Sequence, residues 1–306
     1  MNVRMAERVT ATMRCGSLMC VMMLACMHAH AALQQDIIGT IATHTSDGEV
    51  TFAVIAREHD LGYVELLSAN PGVDPWISPR GTKIVLPTAH ILPVQPRKGI
   101  VINLSTLRIY YFEPESGEIW TWPIGIGRFG LTTPLGRTKV IRKREKPTWI
   151  PTAETRAANP NLPSVVPAGP DNPMGDFALD LDWPEYRIHG TNKPFGVGRR
   201  VSRGCIRMYP EDIRALYAMA TVGTMVTVIE DPVKLGWLDG ELYLEVHTSQ
   251  DQTDQIEESG TFEGSKIAGL RERVVHAARD QMHRIDWSLV EETEGRRLGY
   301  PIRITR

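Results

Sequence analysis

The sequence predicts a mainly β chain with α+β appendages: a β-sandwich in the centre, a small α/β module ahead of it and a small, mostly helical subdomain behind it. Three observations carry the expectation. From residue 99 to 127 the chain reads strand, turn, strand, a hairpin loop at "EPESGE" (113–118) and a third strand. "TKVIRK", "FALDL", "YRIHG" and "TMVTVIE" continue the β-rich alternation, and "PEDIRALYAMA" (210–220) alone in this region has convincing helical spacing. The flanks differ in kind: 50–87 reads helix, helix, turn, strand, and 264–284 carries an amphipathic helical stripe.

Taken in order, residues 1–14 carry Arg4, Arg8 and Arg14, and "CGSLMCVMMLACMHAHA" then runs apolar to an A-x-A arrangement at Ala29 and Ala31. That layout predicts a secretory signal peptide over 1–31. Its apolar part is shorter than the ~20 residues of a membrane-spanning helix, so no stable membrane insertion is expected. A retained anchor, or a lipid anchor on Cys26, is the alternative. In 36–93 the helices place Ile55, Ala56, Leu66 and Leu67 in the core, "NPGV" (70–73) turns the chain and "TKIVLP" closes it as a strand. "ILPVQPRKG" (91–99) reads as a linker. After the central region (98–232) comes the segment 233–306, which contains "GWLDGELYLEVH". The polar, acidic stretch 248–262 reads as a flexible connection. Ile267, Leu270, Val274, Val275 and Ala278 then form one helical face, "DWSLVEETEG" gives a shorter helix and "YPIRIT" a strand.

A net charge of −2 over 306 residues gives no reason to expect a nucleic-acid partner. No phosphate-binding loop or metal-ligand cluster is present in the sequence. The cysteines stand at 15, 20, 26 and 205, so cleavage after Ala31 leaves Cys205 alone, without an internal disulfide partner. A lone cysteine is by default a small buried hydrophobe. Here it sits among Gly196, Gly198 and Gly204 and the cations Arg199, Arg200, Arg203 and Arg207, which would favour the thiolate. Pro210, Glu211 and Asp212 suit the first turn of a helix that follows. Upstream, His189 ends a short alternating segment in "YRIHGTN". A cysteine nucleophile needs a base and a group that orients the base. By spacing alone, His189 is either that base or a structural histidine.

"HGTN" (189–192) followed by "SRGCIRM" (202–208) resembles the YkuD-type L,D-transpeptidases, in particular the ErfK/YbiS group of periplasmic enzymes. "GIVINLSTLRIYYF" (99–112), "WPIGIGRFGLTTPLG" (122–136), "KPTWIPT" (146–152) and "VVPAGPDNPMGDFAL" (165–179) look like that group's segments in the same order, and "GWLDGELYLEVH" (236–247) resembles a hairpin the group also carries. The resemblance implies a YkuD-type β-sandwich at 98–232, and residues 36–93 look like a LysM module, although "GTIATHTSDGE" lacks the usual aromatic entry. It implies Cys205 as nucleophile, His189 as general base and the Gly190 carbonyl as third member. Amides around Gly204 and Cys205 would form the oxyanion hole, Ser202 would organise the turn, and Arg207 would meet a substrate carboxylate. Arg203 departs from the histidine of many members, and an arginine cannot serve as a base. The implied reaction is acyl transfer from the third-position diaminoacid of a peptidoglycan tetrapeptide stem, with release of D-alanine and no cofactor or metal. The acceptor would be the C-terminal lysine of an outer-membrane lipoprotein, with a second stem peptide (3→3 cross-linking) or water as alternatives. A non-catalytic wall-binding protein is the reading from another class. The expected location is the periplasm.

Overall fold

The computed structural model describes residues 35–94 and 96–306; the leader expected at 1–31 lies outside the described residues. Strand β1 (Ile37–Ile38) is followed by β2 (Ala42–Thr45), helices α1 (Phe52–Glu58) and α2 (Tyr63–Ala69), then β3 (Lys83–Leu86) and β4 (His90–Ile91). β2 and β3 pair antiparallel, as do β1 and β4. α2 is buried almost all round, which marks a helix covered on several sides rather than a surface helix. Asn70 ties its end to β3, donating to the Leu66 and Val85 carbonyls and accepting from the Val85 amide at 2.7–2.9 Å. Ile55, Ala56 and Leu66 have no exposed surface, and Leu67 is also buried.

The central region contains β5 (Gly99–Asn103), β6 (Arg108–Phe112), β7 (Ile119–Pro123), β8 (Ile126–Gly127), β9 (Gly136–Glu145), α3 (Ala153–Ala158), β10 (Phe177–Leu181), β11 (Arg187–His189), β12 (Arg200–Ser202), β13 (Ile206–Arg207), α4 (Pro210–Met219) and β14 (Met225–Ile229). Eight of these strands form one ladder in the order β13-β11-β10-β9-β14-β5-β6-β7, and β12 pairs with β8 alone. This differs from the two separate sheets of a sandwich. The reason lies in β9. Its residues Gly136–Lys139 pair with β14, while Val140–Glu145 pair with β10 across an irregularity at Asp180/Leu181. One long strand therefore serves both halves in turn, and the sheet curls at that point instead of splitting. α4, opened by Pro210 with Glu211 and Asp212 in its first turn, packs on β10. The short α3, absent from the sequence reading, starts from Thr152, whose hydroxyl accepts the Thr155 amide at 3.2 Å.

One hydrophobic core joins the first two regions: Phe52, Ile55 and Leu66 lie with Ile100 and Ile109 of the sheet and with Ile213 and Leu216 of α4. Beneath it, Glu65 and Arg108 form a buried ion pair at 2.8 Å.

The C-terminal region begins with β15 (Val233–Leu238) and β16 (Glu241–Val246), joined by Asp239-Gly240, both at positive φ as a tight hairpin requires. Three helices follow, α5 (Gln250–Ser259), α6 (Leu270–Ala278) and α7 (Trp287–Arg296), and β17 (Ile302–Arg303) completes a three-stranded sheet. Two expectations change here. The stretch 248–262, read as flexible, contains α5: Ser249 and Gln252 form a reciprocal capping box, and Ile256 is buried in the main core. The helix expected over 264–284 is confined to 270–278. Gly269 enters it at φ 73°, and Arg279, at φ 51°, ends it before a 3₁₀ segment. A second core gathers Val233, Leu244, Leu270, Val274 and Val290.

Candidate active site

Cys205 sits in the turn between β12 and β13. Gly204 adopts φ 106°, and a Cβ there would lie 2.8 Å from the Tyr186 ring, so the turn demands glycine. The Ser202 hydroxyl accepts the Gly204 amide at 3.1 Å and donates to the Cys205 carbonyl at 2.6 Å. From the other side Thr133 donates to the Gly204 carbonyl at 2.8 Å. The Gly204 amide is thus engaged within the turn, which removes it from the expected oxyanion hole. It is bound there because a buried amide left without a partner is costly. Ser202 and Thr133 together set the backbone on which the thiol stands.

His189 ends β11, opposite Ala178 of β10 and Arg207 of β13. Its Nδ1 lies 2.6 Å from the Gly190 carbonyl. A carbonyl only accepts, so the proton is on Nδ1 and the lone pair is on Nε2. The ring is buried. Burial first, then the Arg207 and Arg187 charges, holds its pKa down at about 3, against the opposing pull of the Gly190 and Met174 backbone. The imidazole is therefore neutral at any physiological pH.

The thiol is neutral too. Burial pushes the Cys205 pKa up, and this outweighs Arg187 and Arg207, which favour the thiolate. Sγ donates to the Glu185 carbonyl at 3.4 Å. The cationic loop expected from the sequence is largely neutralised. Arg199 pairs with Glu257 and Arg200 with Asp254, each at 2.5 Å, and Arg203 approaches Glu154 at 3.5 Å. Salt links answer those charges because α5 and α3 present carboxylates, which the local sequence around Cys205 did not show. Arg187 was missed. It stands two residues before His189 on β11, a spacing that puts both side chains on one face, and it pairs with Asp180 at 3.3 Å.

Cys205, His189, Ser202, Arg203, Arg187 and Arg207 all line one cavity of about 160 Å³. A neighbouring cavity of about 820 Å³ shares Trp149, Pro173 and Arg207 with it. Arg207 is held by its backbone to Gly125, each amide donating to the other's carbonyl at 2.8 Å, and its Nε has no hydrogen-bond partner. The wall over both cavities comes from the chain between β9 and β10. Asn172, fully buried, closes that wall by donating to the Pro147 carbonyl at 2.7 Å. A neutral thiol and a neutral, oriented imidazole lining one cavity suit acyl transfer by general-base activation of sulfur. Among the described residues no group of three or more His, Cys, Asp or Glu side chains could hold a metal ion.

Comparison with known proteins identifies the family. The YkuD family, described as the L,D-transpeptidase catalytic domain, matches residues 97–228. The Escherichia coli K12 protein named "Probable L,D-transpeptidase YbiS" is 42% identical over 256 residues, which is 81% of this chain and 81% of that one. The K12 proteins named "Probable L,D-transpeptidase YcfS" and "Probable L,D-transpeptidase ErfK/SrfK" are 45% and 43% identical over 63% and 70% of this chain, and over 63% and 69% of their own lengths. The solved catalytic domain of the Enterococcus faecium L,D-transpeptidase is 24% identical, covering 45% of this chain and all of that one, with a TM-score of 0.35. The chain belongs to the YkuD family of L,D-transpeptidases, in the group that includes YbiS, YcfS and ErfK/SrfK.

Proposed function

We propose that Cys205 is the nucleophile of an L,D-transpeptidation reaction and His189 its general base. The observation that carries the reading is the neutral His189, buried beside the thiol's cavity with Nδ1 held by the Gly190 carbonyl, so that Nε2 is the basic atom. As Sγ attacks the carbonyl of the third-position diaminoacid of a tetrapeptide stem, Nε2 takes the thiol proton. The tetrahedral intermediate collapses to a thioester, and the imidazolium returns that proton to the departing amine of D-alanine. An acceptor amine then attacks the thioester, gives a proton to Nε2, and Sγ leaves to recover it. The Gly190 carbonyl stabilises the transient imidazolium through Nδ1–H. The Cys205 amide is the remaining donor from that turn for the oxyanion, and Arg207 receives a stem carboxylate.

The substrate is the peptidoglycan stem, and the acceptor is the C-terminal lysine of an outer-membrane lipoprotein; similarity running through the segments flanking the motif supports this choice. The place of action is the periplasm, reached through the leader at 1–31. Among the described residues no helix is long and apolar enough to cross a membrane. The β-α-α-β arrangement of residues 42–86 supports a LysM-like module ahead of the enzyme. Incubation of the mature protein with tetrapeptide muropeptides and candidate amines, followed by mass spectrometry, tests all of this together. The expected products are free D-alanine and a lysine-linked stem. A 3→3 dimer or a tripeptide reassigns the acceptor, and binding to wall sacculi without any covalent change refutes the enzyme.

A further inference from the structure

β12 leads directly into the Cys205 turn, yet it has only three residues in a two-stranded ladder with β8. So small a ladder does not hold its own geometry in water. At its two ends the Ile126 amide donates to the Arg199 carbonyl and the Arg128 amide to the Ser202 carbonyl, each at 3.0 Å. The turn that carries the thiol is held on its far side by Thr133 and by β13 of the main ladder, so the weakly paired β12 is the side that gains from an outside support.

Helix α5 meets it from the C-terminal region. Arg200, its side chain 2% exposed, donates through Nη1 to Asp254 at 2.5 Å and to the Gln250 carbonyl at 2.8 Å. Arg199 donates to Glu257 at 2.5 Å, and its guanidinium lies 3.7 Å from the centre of the Tyr63 ring of α2. α5 is itself fixed. Ile256 is buried in the main core, Gln252 donates to the Glu263 carbonyl at 2.7 Å, and Arg297, at the end of α7, donates to Gln252. Two consecutive arginines, Arg199 just before β12 and Arg200 at its start, thus grip carboxylates three residues apart on one helical face. The cations that act on the thiol are others, Arg187 and Arg207.

We infer that Arg200 and Asp254, assisted by Arg199 and Glu257, are positioning residues: α5 holds β12 so that the Cys205 turn keeps the geometry acyl transfer needs. This gives the C-terminal region a part in the reaction, and it rests on the proposed role of Cys205. The test compares the full mature protein with its Asp254→Asn, Asp254→Glu and Arg200→Met variants by hydrogen-exchange mass spectrometry and by the rate of carbapenem acylation. Asp254→Asn and Arg200→Met are expected to speed exchange across 198–206 while the central strands stay protected. They are expected to lower the maximal acylation rate about 10–100-fold, the scale of a small misplacement of reacting groups, with half-saturation unchanged. Asp254→Glu should recover much of the rate. The pH midpoint of thiol alkylation should stay in place. Unchanged exchange across 198–206, or a loss confined to half-saturation, or a moved thiol midpoint, overturns the inference. Should Arg200→Met lose protection throughout the sheet, the isosteric Asp254→Asn decides. If the wild-type protein takes no acyl adduct, the activity reading fails, and the exchange result still judges the support from α5.

Discussion

Cys205 is flanked in sequence by arginines, and charge alone would make it a thiolate. Even the partial burial of Cys205 wins, because desolvating a sulfur anion costs more than two partly screened cations return. Alkylation of Cys205 by iodoacetamide should accordingly rise with pH through a midpoint above the ordinary cysteine range. Arg207→Met should push that midpoint higher, since Arg207 is one of the two cations opposing burial. Arg207→Lys keeps the charge but loses the two-pronged donor, so it should leave the midpoint nearly unchanged and still lose most transpeptidation with a tetrapeptide donor. Equal and full activity of both variants would remove Arg207 from the site. For His189, replacement by alanine should slow acylation about 10²–10⁴-fold, the range for a lost general base, in a protein that still folds. Wild-type turnover in a folded His189→Ala protein would exclude it.

At the scale of elements, the approach of α2 to the segment before β12 has no room to spare. The Val64 amide donates to the Gly198 carbonyl at 3.2 Å, and a Cβ on Gly198 would fall 2.2 Å from the Tyr63 amide nitrogen. Gly198 also has φ 75°, which costs other residues about 1–2 kcal/mol. Gly198→Ala should therefore lower stability by more than about 2 kcal/mol in a urea melt, since the clash adds to the backbone cost. Gly72→Ala is the control: φ is 81° there, but nothing lies within 4 Å of the added carbon, so only the backbone cost should appear. Equal losses in the two variants would show that the contact between α2 and Gly198 contributes nothing. α5 teaches the complementary point. Its polar face misled the sequence reading, because salt links to Arg199 and Arg200 can fix a helix that offers few apolar residues.

Across the whole molecule, buried charge sits where the regions meet. Glu245 of β16 is fully buried and holds Lys234 at 2.5 Å, His247 at 2.6 Å and the Ile91 amide at 2.6 Å. At the other junction Asp212 is pushed up to about 8 by burial, then by Asp60 and Glu211, with Arg108 and Arg57 pulling the other way. Its place in the first turn of α4 favours the anion by only about 0.3–1 kcal/mol, too little to offset burial. A raised folded pKa means that this carboxyl stabilises the fold below its unfolded value of 3.8, a contribution lost as pH rises towards 8. His189 acts in the opposite sense. Depressed to about 3, it contributes stability above 6.5 that is lost as pH falls towards 3. Asp212→Asn should thus match wild type near pH 4 and be more stable at pH 8–9 by a few kcal/mol, on the order of a shift of this size. A constant difference in melting temperature from pH 4 to 9 would show that Asp212 does not titrate with folding.

Much of this protein was legible in its sequence. The period-two alternation of 99–127 and the Pro210-Glu211-Asp212 helix start are local signals, and each appears where neighbours along the chain dictate it. "HGTN" and "SRGCIRM" were enough to bring His189 and Cys205 forward as candidates, and both line one cavity; a turn with glycine at 204 and a thiol beside it must be written in consecutive residues. Other features depend on partners far away in sequence. The single curled sheet comes from β9 changing partners midway, Arg187 joins the site through the pairing of β11 and β13, and the charges on Arg199 and Arg200 are cancelled by carboxylates more than fifty positions away. The charge state of Cys205 belongs to this second group. Neighbouring arginines are visible in the sequence, but burial is a property of everything packed around the sulfur, and only the tertiary structure determines it.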